Sequence, residues 1–128
     1  MDFRGSIVSA RSQTISAINQ LGRYDHAQPA TAPANRAVLE AARRWISPGA
    51  TTAGAAALDA ARWECWVGVR QIRDTGTALE LLDRAWWSLG SRTGAPDVEG
   101  ARRTLYDAVA YLDRAAVGSR WSRAVIAA

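Results

Sequence analysis

The chain has 128 residues, of which 48% are hydrophobic, and it contains one cysteine. This length is enough for a single core of ordinary size, so we predict one domain over residues 1–128. A lone cysteine excludes an internal disulfide and fits a reducing compartment. The N-terminus lacks the features of a signal peptide, and no uncharged window approaches the length of a membrane span. We therefore expect a soluble, cytoplasmic protein with no membrane partner.

The net charge of +4 does not by itself indicate a nucleic-acid partner. All 16 basic residues are arginine and alanine use is heavy, a combination typical of the codon bias of a GC-rich genome. The positive surplus is modest and is divided between the two ends of the chain. A basic binding surface must therefore be argued from local groups of residues.

Apolar residues at helical spacing predict a first helix that ends at Gly22. Its core stripe, which Val8 and Ile15 widen, consists of Phe3, Ile7, Ala10, Thr14, Ile18 and Leu21. Prolines then mark residues 25–33 as a loop, and Pro33 suits the first position of a short second helix. Ser47-Pro48-Gly49 ends this helix, whose apolar face consists of Val38, Ala41, Ala42 and Trp45.

A third helix is predicted over residues 53–73, with Thr51 or Thr52 as its cap. Its core stripe consists of Leu58, Ala61, Cys65, Val69 and Ile72. Two tryptophans lie off this stripe, Trp66 by about 100° and Trp63 by about 160° of rotation. Because the helix is apolar on two sides, it is either the central helix of a bundle or it presents a binding surface.

A fourth helix is predicted over residues 77–89. Trp87 is rotated by about 100° from Trp86 and must point away from the core, either under a loop or the chain terminus or into an interface. We expect a break near Gly76, because the stripes before and after it are out of line by about 80°. The core face consists of Ala78, Leu79, Leu82, Ala85, Trp86 and Leu89.

After a loop at residues 90–96, Asp97 is predicted to cap a long last helix. Gly118-Ser119 is expected to interrupt it, so that Trp121 and Val125 belong to a kinked or separate short helix. The stripe of the long part consists of Val98, Ala101, Leu105, Ala108, Val109, Leu112 and Ala116.

These elements predict an all-α fold, because no strand-like alternation is present. The expected architecture is a four- or five-helix bundle that is mostly antiparallel, since the connections are short. Its core would combine the stripes with Trp45 and Trp86.

The sequence offers no constellation for catalysis, metal binding or cofactor binding. His26 is the only histidine and lies in the proline-flanked loop, where a solvated histidine is expected. Cys65 falls in a core stripe and has no strong activating base beside it. No Glu-x-x-His pair and no phosphate-binding glycine loop occur. We therefore expect a protein that is not an enzyme and that needs neither a metal nor a cofactor.

Trp66-Val67-Gly68 resembles the three-residue signature of small secreted helical-hairpin proteins. In that family the motif makes the turn between two helices. Here it lies inside the amphipathic run of the third helix, and prolines divide the chain into at least four helices. We therefore do not assign the chain to that family.

Tryptophans that lie off the core stripes predict an interaction surface, and arginine beside tryptophan is a common way to build one. The leading hypothesis is a helical interaction or assembly module that binds a protein partner, above all a second copy of itself in a homo-oligomer. The surface would consist of Trp63, Trp66, Trp87, Arg62, Arg70 and Arg73.

Two other functions stay open. A nucleic-acid-binding regulator would combine arginine with tryptophan stacked on bases, and its affinity would fall steeply with salt. Its contacts would be Arg43, Arg44, Arg120, Trp121 and Arg123. The third hypothesis is a pocket for an apolar small molecule, lined by tryptophans between helices.

Overall fold

The computed structural model describes residues 3–46, 54, 58–59, 68–90 and 95–127, with side chains as far as Val117. Four α-helices lie in these ranges: α1 (Phe3–Leu21), α2 (Pro33–Arg44), α3 (Val69–Leu89) and α4 (Val98–Ala127). Residues 54, 58 and 59 are also helical, and none of the described residues is in a strand. The prediction of an all-α helical bundle is confirmed.

Helix α4 is the centre of the described bundle, because it packs extensively against both α3 and α1. A short connection from Leu89 to Val98 makes α3 and α4 antiparallel. Helix α1 is also antiparallel to α4: Gly22 at its end lies beside Arg102, and Arg11 in its first half reaches Asp113. Helix α2 packs mainly on α1 and touches α3.

The buried apolar side chains of the described residues form two clusters along α4. One joins the second half of α1 to α2, α3 and the first half of α4, and the other joins the start of α1 to α3 and the second half of α4. Complete burial of one leucine or phenylalanine side chain stabilises the fold by about 1.5–3 kcal/mol. The largest fully buried apolar side chains are Phe3, Ile7, Ile46, Leu82, Leu105 and Leu112.

Helix α1 has the predicted end and the predicted core stripe. Every residue of that stripe, from Phe3 to Leu21, is buried, and Gly22 follows the last helical residue. The widening of the stripe by Val8 was wrong, because Val8 points to solvent on a side that no described helix covers.

Helix α2 begins at Pro33 as predicted, but its core residue near the end is not Trp45. Trp45 is 42% exposed, whereas Ile46 is buried. Ile46 follows the buried Ala42 by four residues, so a backbone that stays helical past Arg44 turns Ile46 inward and Trp45 outward.

The break near Gly76 was wrong, because α3 runs without interruption from Val69 to Leu89. The interruption lies earlier, at Gly68, whose backbone is extended (φ −79°, ψ 166°). The predicted helix over residues 53–73 is therefore wrong at its C-terminal end, because residues 69–73 belong to α3.

A single buried stripe explains why α3 is continuous. Val69, which the sequence interpretation placed in the core, is 73% exposed. When Val69 is left out of the stripe, the partly buried Ile72 and the buried residues follow each other at intervals of three and four. They therefore share one face of a helix that continues through Gly76. These residues are Ile72, Thr75, Ala78, Leu82, Ala85 and Leu89.

The predicted third helix lies largely outside the described residues, including Thr51, Thr52, Ala61 and Cys65. Gly54 is buried against the side chain of Leu79 on α3, which leaves no space for a larger residue. Gly68, the last residue of the Trp-Val-Gly motif, lies at the start of a helix and not inside one.

Helix α4 has the predicted cap at its start and differs from the prediction at its end. The Asp97 carboxylate accepts a hydrogen bond from the Gly100 N–H at 2.9 Å. The helix then continues through Gly118 to Ala127, so the expected interruption was wrong. One glycine inside a helix costs only about 1 kcal/mol, which the other residues of a long helix can offset. No helix in the described ranges is both long and apolar enough to cross a membrane.

Candidate interaction surface

Two adjacent tryptophans near the end of α3 differ in their surroundings. Trp86 is partly buried and packs against the larger core cluster. Trp87 is rotated away from the core and is 61% exposed, as the sequence predicts. Their ring centroids are 5.1 Å apart and the ring planes meet at 86°, an edge-to-face contact. Such contacts stabilise a fixed arrangement of two rings by about 0.5–1.5 kcal/mol.

Arg43, from the last turn of α2, covers the ring of Trp86. Its Cζ atom lies 4.1 Å from the centroid of the Trp86 ring, in the range of a cation–π contact. The same guanidinium lies against Gly90, where an added Cβ would be 2.8 Å from Nη2. Among the atoms described, the buried Arg43 Nε has no hydrogen-bond partner, so the stacking and packing contacts hold this side chain. We call Arg43, Trp86 and Trp87 the tryptophan surface.

Two further exposed residues continue from Arg43 along the end of α2. Arg44 is exposed and Trp45 is 42% exposed. Of the residues expected to contact nucleic acid, Arg43 and Arg44 therefore differ: the first is packed against Trp86 and the second faces solvent.

The structure does not bring together all the residues of the predicted interaction surface. Arg70 and Arg73 lie in the first turns of α3, and a continuous helix places Arg70 about 25 Å from Trp87 along its axis. Trp63, Trp66 and Arg62 lie outside the described residues. Arg120, Trp121 and Arg123 lie in the helical backbone of α4, beyond the last described side chain.

Arg70 and Arg73 line a different feature, an open cleft of about 760 Å³ between α3 and α4. Arg114 completes a group of three arginines there, and Asp74 and Asp113 are the acidic residues of the lining within the described part of the chain. A second groove of about 380 Å³ shares Arg114 and includes Tyr111. Arg70 and Arg73 are thus grouped with Arg114 and lie far from Trp87.

Sequence reasoning missed the contact between Arg43 and Trp86. Arg43 precedes Trp45 by two residues, and that neighbour in sequence was the expected aromatic partner. The true partner lies on another helix, and helical periodicity carries no information about which side chains meet across two helices. No signal in a single sequence could have paired them.

Within the described ranges, no cluster of three or more His, Cys, Asp or Glu side chains could hold a metal ion. His26 is exposed in its loop, with Nε2 3.4 Å from a Glu99 carboxylate oxygen and its ring edge-on to Tyr24. Exposed contacts of this kind contribute little energy.

Comparisons with known proteins add no assignment to this geometry. No protein-family model matches the chain, and neither the curated proteins nor the solved structures compared with it gave a match. The function must therefore be argued from the surfaces themselves.

Proposed function

We propose that this protein is a non-enzymatic helical interaction module that associates with a second copy of itself through the tryptophan surface. The observation that carries the proposal is Trp87, a large aromatic side chain that is 61% exposed although its neighbour Trp86 packs on the core. Tryptophan and arginine are the residues most enriched among those that dominate binding energy at protein interfaces.

The surroundings of Trp87 support binding because they already fix its orientation. Trp86 contacts it edge-to-face, and Arg43 holds Trp86 from the opposite helix. A side chain that is ordered before binding loses little conformational entropy when a partner arrives, so more of the contact energy appears as affinity.

Charges beside Trp87 favour a second copy as the partner. Asp83 and Arg84 are both exposed on α3, one turn before Trp87. In a two-fold contact the same surface faces itself, so Asp83 of one copy can lie opposite Arg84 of the other. A surface that carries both signs of charge can therefore match its own copy.

The nucleic-acid alternative has less support at this surface. Arg43 stacks on Trp86 and its Nε is buried, so it presents fewer donors to a phosphate. Arg44 and Trp45 remain exposed, but one arginine beside one tryptophan is a small basis for binding a charged strand.

Light scattering across a range of protein concentrations tests the proposal. We expect the wild-type chain to form a dimer that dissociates on dilution, and Trp87→Ala to remain monomeric at concentrations where the wild type is a dimer. Truncation of a central interface tryptophan typically costs about 2–4 kcal/mol, which weakens the dimer by about thirtyfold or more.

A matched control is Tyr106→Ala, which removes another exposed aromatic ring from α4, beside Arg102 and not Arg43. It should associate as the wild type does, and both variants should keep wild-type helicity by circular dichroism. A wild-type chain that is monomeric throughout, or a Trp87→Ala chain that still dimerises, would contradict self-association through this surface.

A further inference from the structure

The cleft between the first turns of α3 and the second half of α4 has an unusual balance of charge. Asp113, one of the two carboxylates among its described lining residues, is engaged by Arg11 on α1, with 2.6 Å between Nε and Oδ1. Arg70 and Arg73 are exposed and form no ion pair with any residue in the described ranges. With Asp113 neutralised by Arg11, three arginines face the single remaining carboxylate, that of Asp74, among the described lining residues, which gives these residues a surplus of two positive charges.

We propose that this cleft binds a small phosphate-bearing anion. A phosphate monoester carries about −1.5 to −2 charges at neutral pH, which matches the surplus. The planar guanidinium of arginine can donate two parallel hydrogen bonds to one phosphate. Three such groups from two helices can therefore surround a single phosphate.

The dimensions of the cleft favour an organic phosphate over the bare ion. Its volume of about 760 Å³ lies in the range of small-molecule sites and exceeds what one phosphate fills. The second groove shares Arg114 and is bordered by Leu81 and Tyr111. Arg114 also stacks on Tyr111, with Cζ 5.0 Å from the ring centroid, so the anionic and apolar parts of a ligand would meet at this residue.

This site is separate from the tryptophan surface, so the two proposals fail independently. Arg70 and Trp87 are about 25 Å apart along α3. Trp87→Ala should therefore leave anion binding unchanged, and substitutions in the cleft should leave the mass in solution unchanged.

Isothermal titration calorimetry with pyrophosphate and with ADP, at constant low ionic strength, tests the site. We expect the wild-type chain to bind both probes, with ADP at least as tight as pyrophosphate. The double variant Arg70→Gln/Arg73→Gln should bind about tenfold more weakly or worse, because two charge-assisted hydrogen-bond donors are lost. Arg114→Gln should also weaken both probes.

The matched control is Arg36→Gln/Arg103→Gln, which removes the same charge from exposed positions on α2 and α4 outside both grooves and outside the tryptophan surface. Its affinity should stay within about twofold of wild type, since distant charges are screened. All the substituted arginines are exposed, so helicity should be unchanged. Wild-type binding that is undetectable at millimolar probe, or equal weakening in both double variants, would overturn the site.

Discussion

Asn35 shows how one buried polar side chain fixes a loop. It lies at the start of α2 and is only 2% exposed. Its Oδ1 accepts a hydrogen bond from the Asp25 N–H at 3.0 Å, while Nδ2 donates to the Asp25 and Pro29 carbonyl oxygens at 2.9 and 3.2 Å. The amide thus satisfies backbone groups of a loop that has no regular structure of its own.

Replacing this amide should destabilise the protein. Asn35→Ala leaves the Asp25 N–H without its partner and removes one of two donors from the Asp25 and Pro29 carbonyl oxygens, so we expect the free energy of unfolding to fall by about 2 kcal/mol. Urea denaturation followed by circular dichroism measures this. Asn19→Ala on the exposed face of α1 is the control and should change stability by no more than about 0.5 kcal/mol. Equal effects of the two substitutions would refute the loop-fixing role of Asn35.

Single residues differ in how far the sequence determines their place. The outward direction of Trp87 follows from the fixed rotation per residue of a helix, and the structure confirms it. The roles of Asn35 and Arg43 depend instead on a folded loop and on the approach of two helices. Such contacts are long-range, and no local pattern encodes them.

At the scale of the element, α3 shows what decides whether a helix continues through a glycine. The predicted break came from assigning Val69 to the core, which put the stripes before and after Gly76 out of line by about 80°. Thr75, a polar residue, is the true member of the stripe; it is fully buried, and its hydroxyl donates a hydrogen bond to the Gln71 carbonyl oxygen at 2.9 Å. A threonine that satisfies its own hydroxyl within the helix can occupy a core position that apolar periodicity overlooks.

Two glycine substitutions should have opposite effects. An added Cβ at Gly76 would meet no atom within 4 Å, so Gly76→Ala should stabilise the helix by about 1 kcal/mol. At Gly90 the added Cβ would lie 2.8 Å from Arg43 Nη2. Gly90→Ala should displace Arg43 from Trp86 and destabilise the protein by about 1 kcal/mol.

Thermal unfolding distinguishes these outcomes, since about 1 kcal/mol corresponds to a shift in Tm of about 3–6 °C for a domain of this size. Opposite signs are expected, with a change in tryptophan fluorescence for Gly90→Ala alone. A loss of stability in Gly76→Ala would contradict the continuous helix.

At the scale of the whole molecule, α4 organises the described bundle. The sequence favoured the segment at residues 53–73 as a candidate central helix because that segment has the most apolar surface. The class of fold was predictable, since each helix carries its own apolar stripe. The packing of α4 along both α1 and α3 was not, because it depends on which stripes meet.

Apolar burial along α4, and not ion pairing, should hold the bundle together. Leu105 is fully buried in the larger core cluster, so Leu105→Ala should lower the free energy of unfolding by about 2–5 kcal/mol through lost burial and a residual cavity. The Arg11 to Asp113 ion pair also joins α1 to α4, but its side chains are 45% and 49% exposed. Solvent screening limits such a pair, so Arg11→Ala should cost less than about 1 kcal/mol. Urea denaturation at low and at physiological salt measures both variants, and an Arg11→Ala loss that equals the Leu105→Ala loss would contradict this ranking.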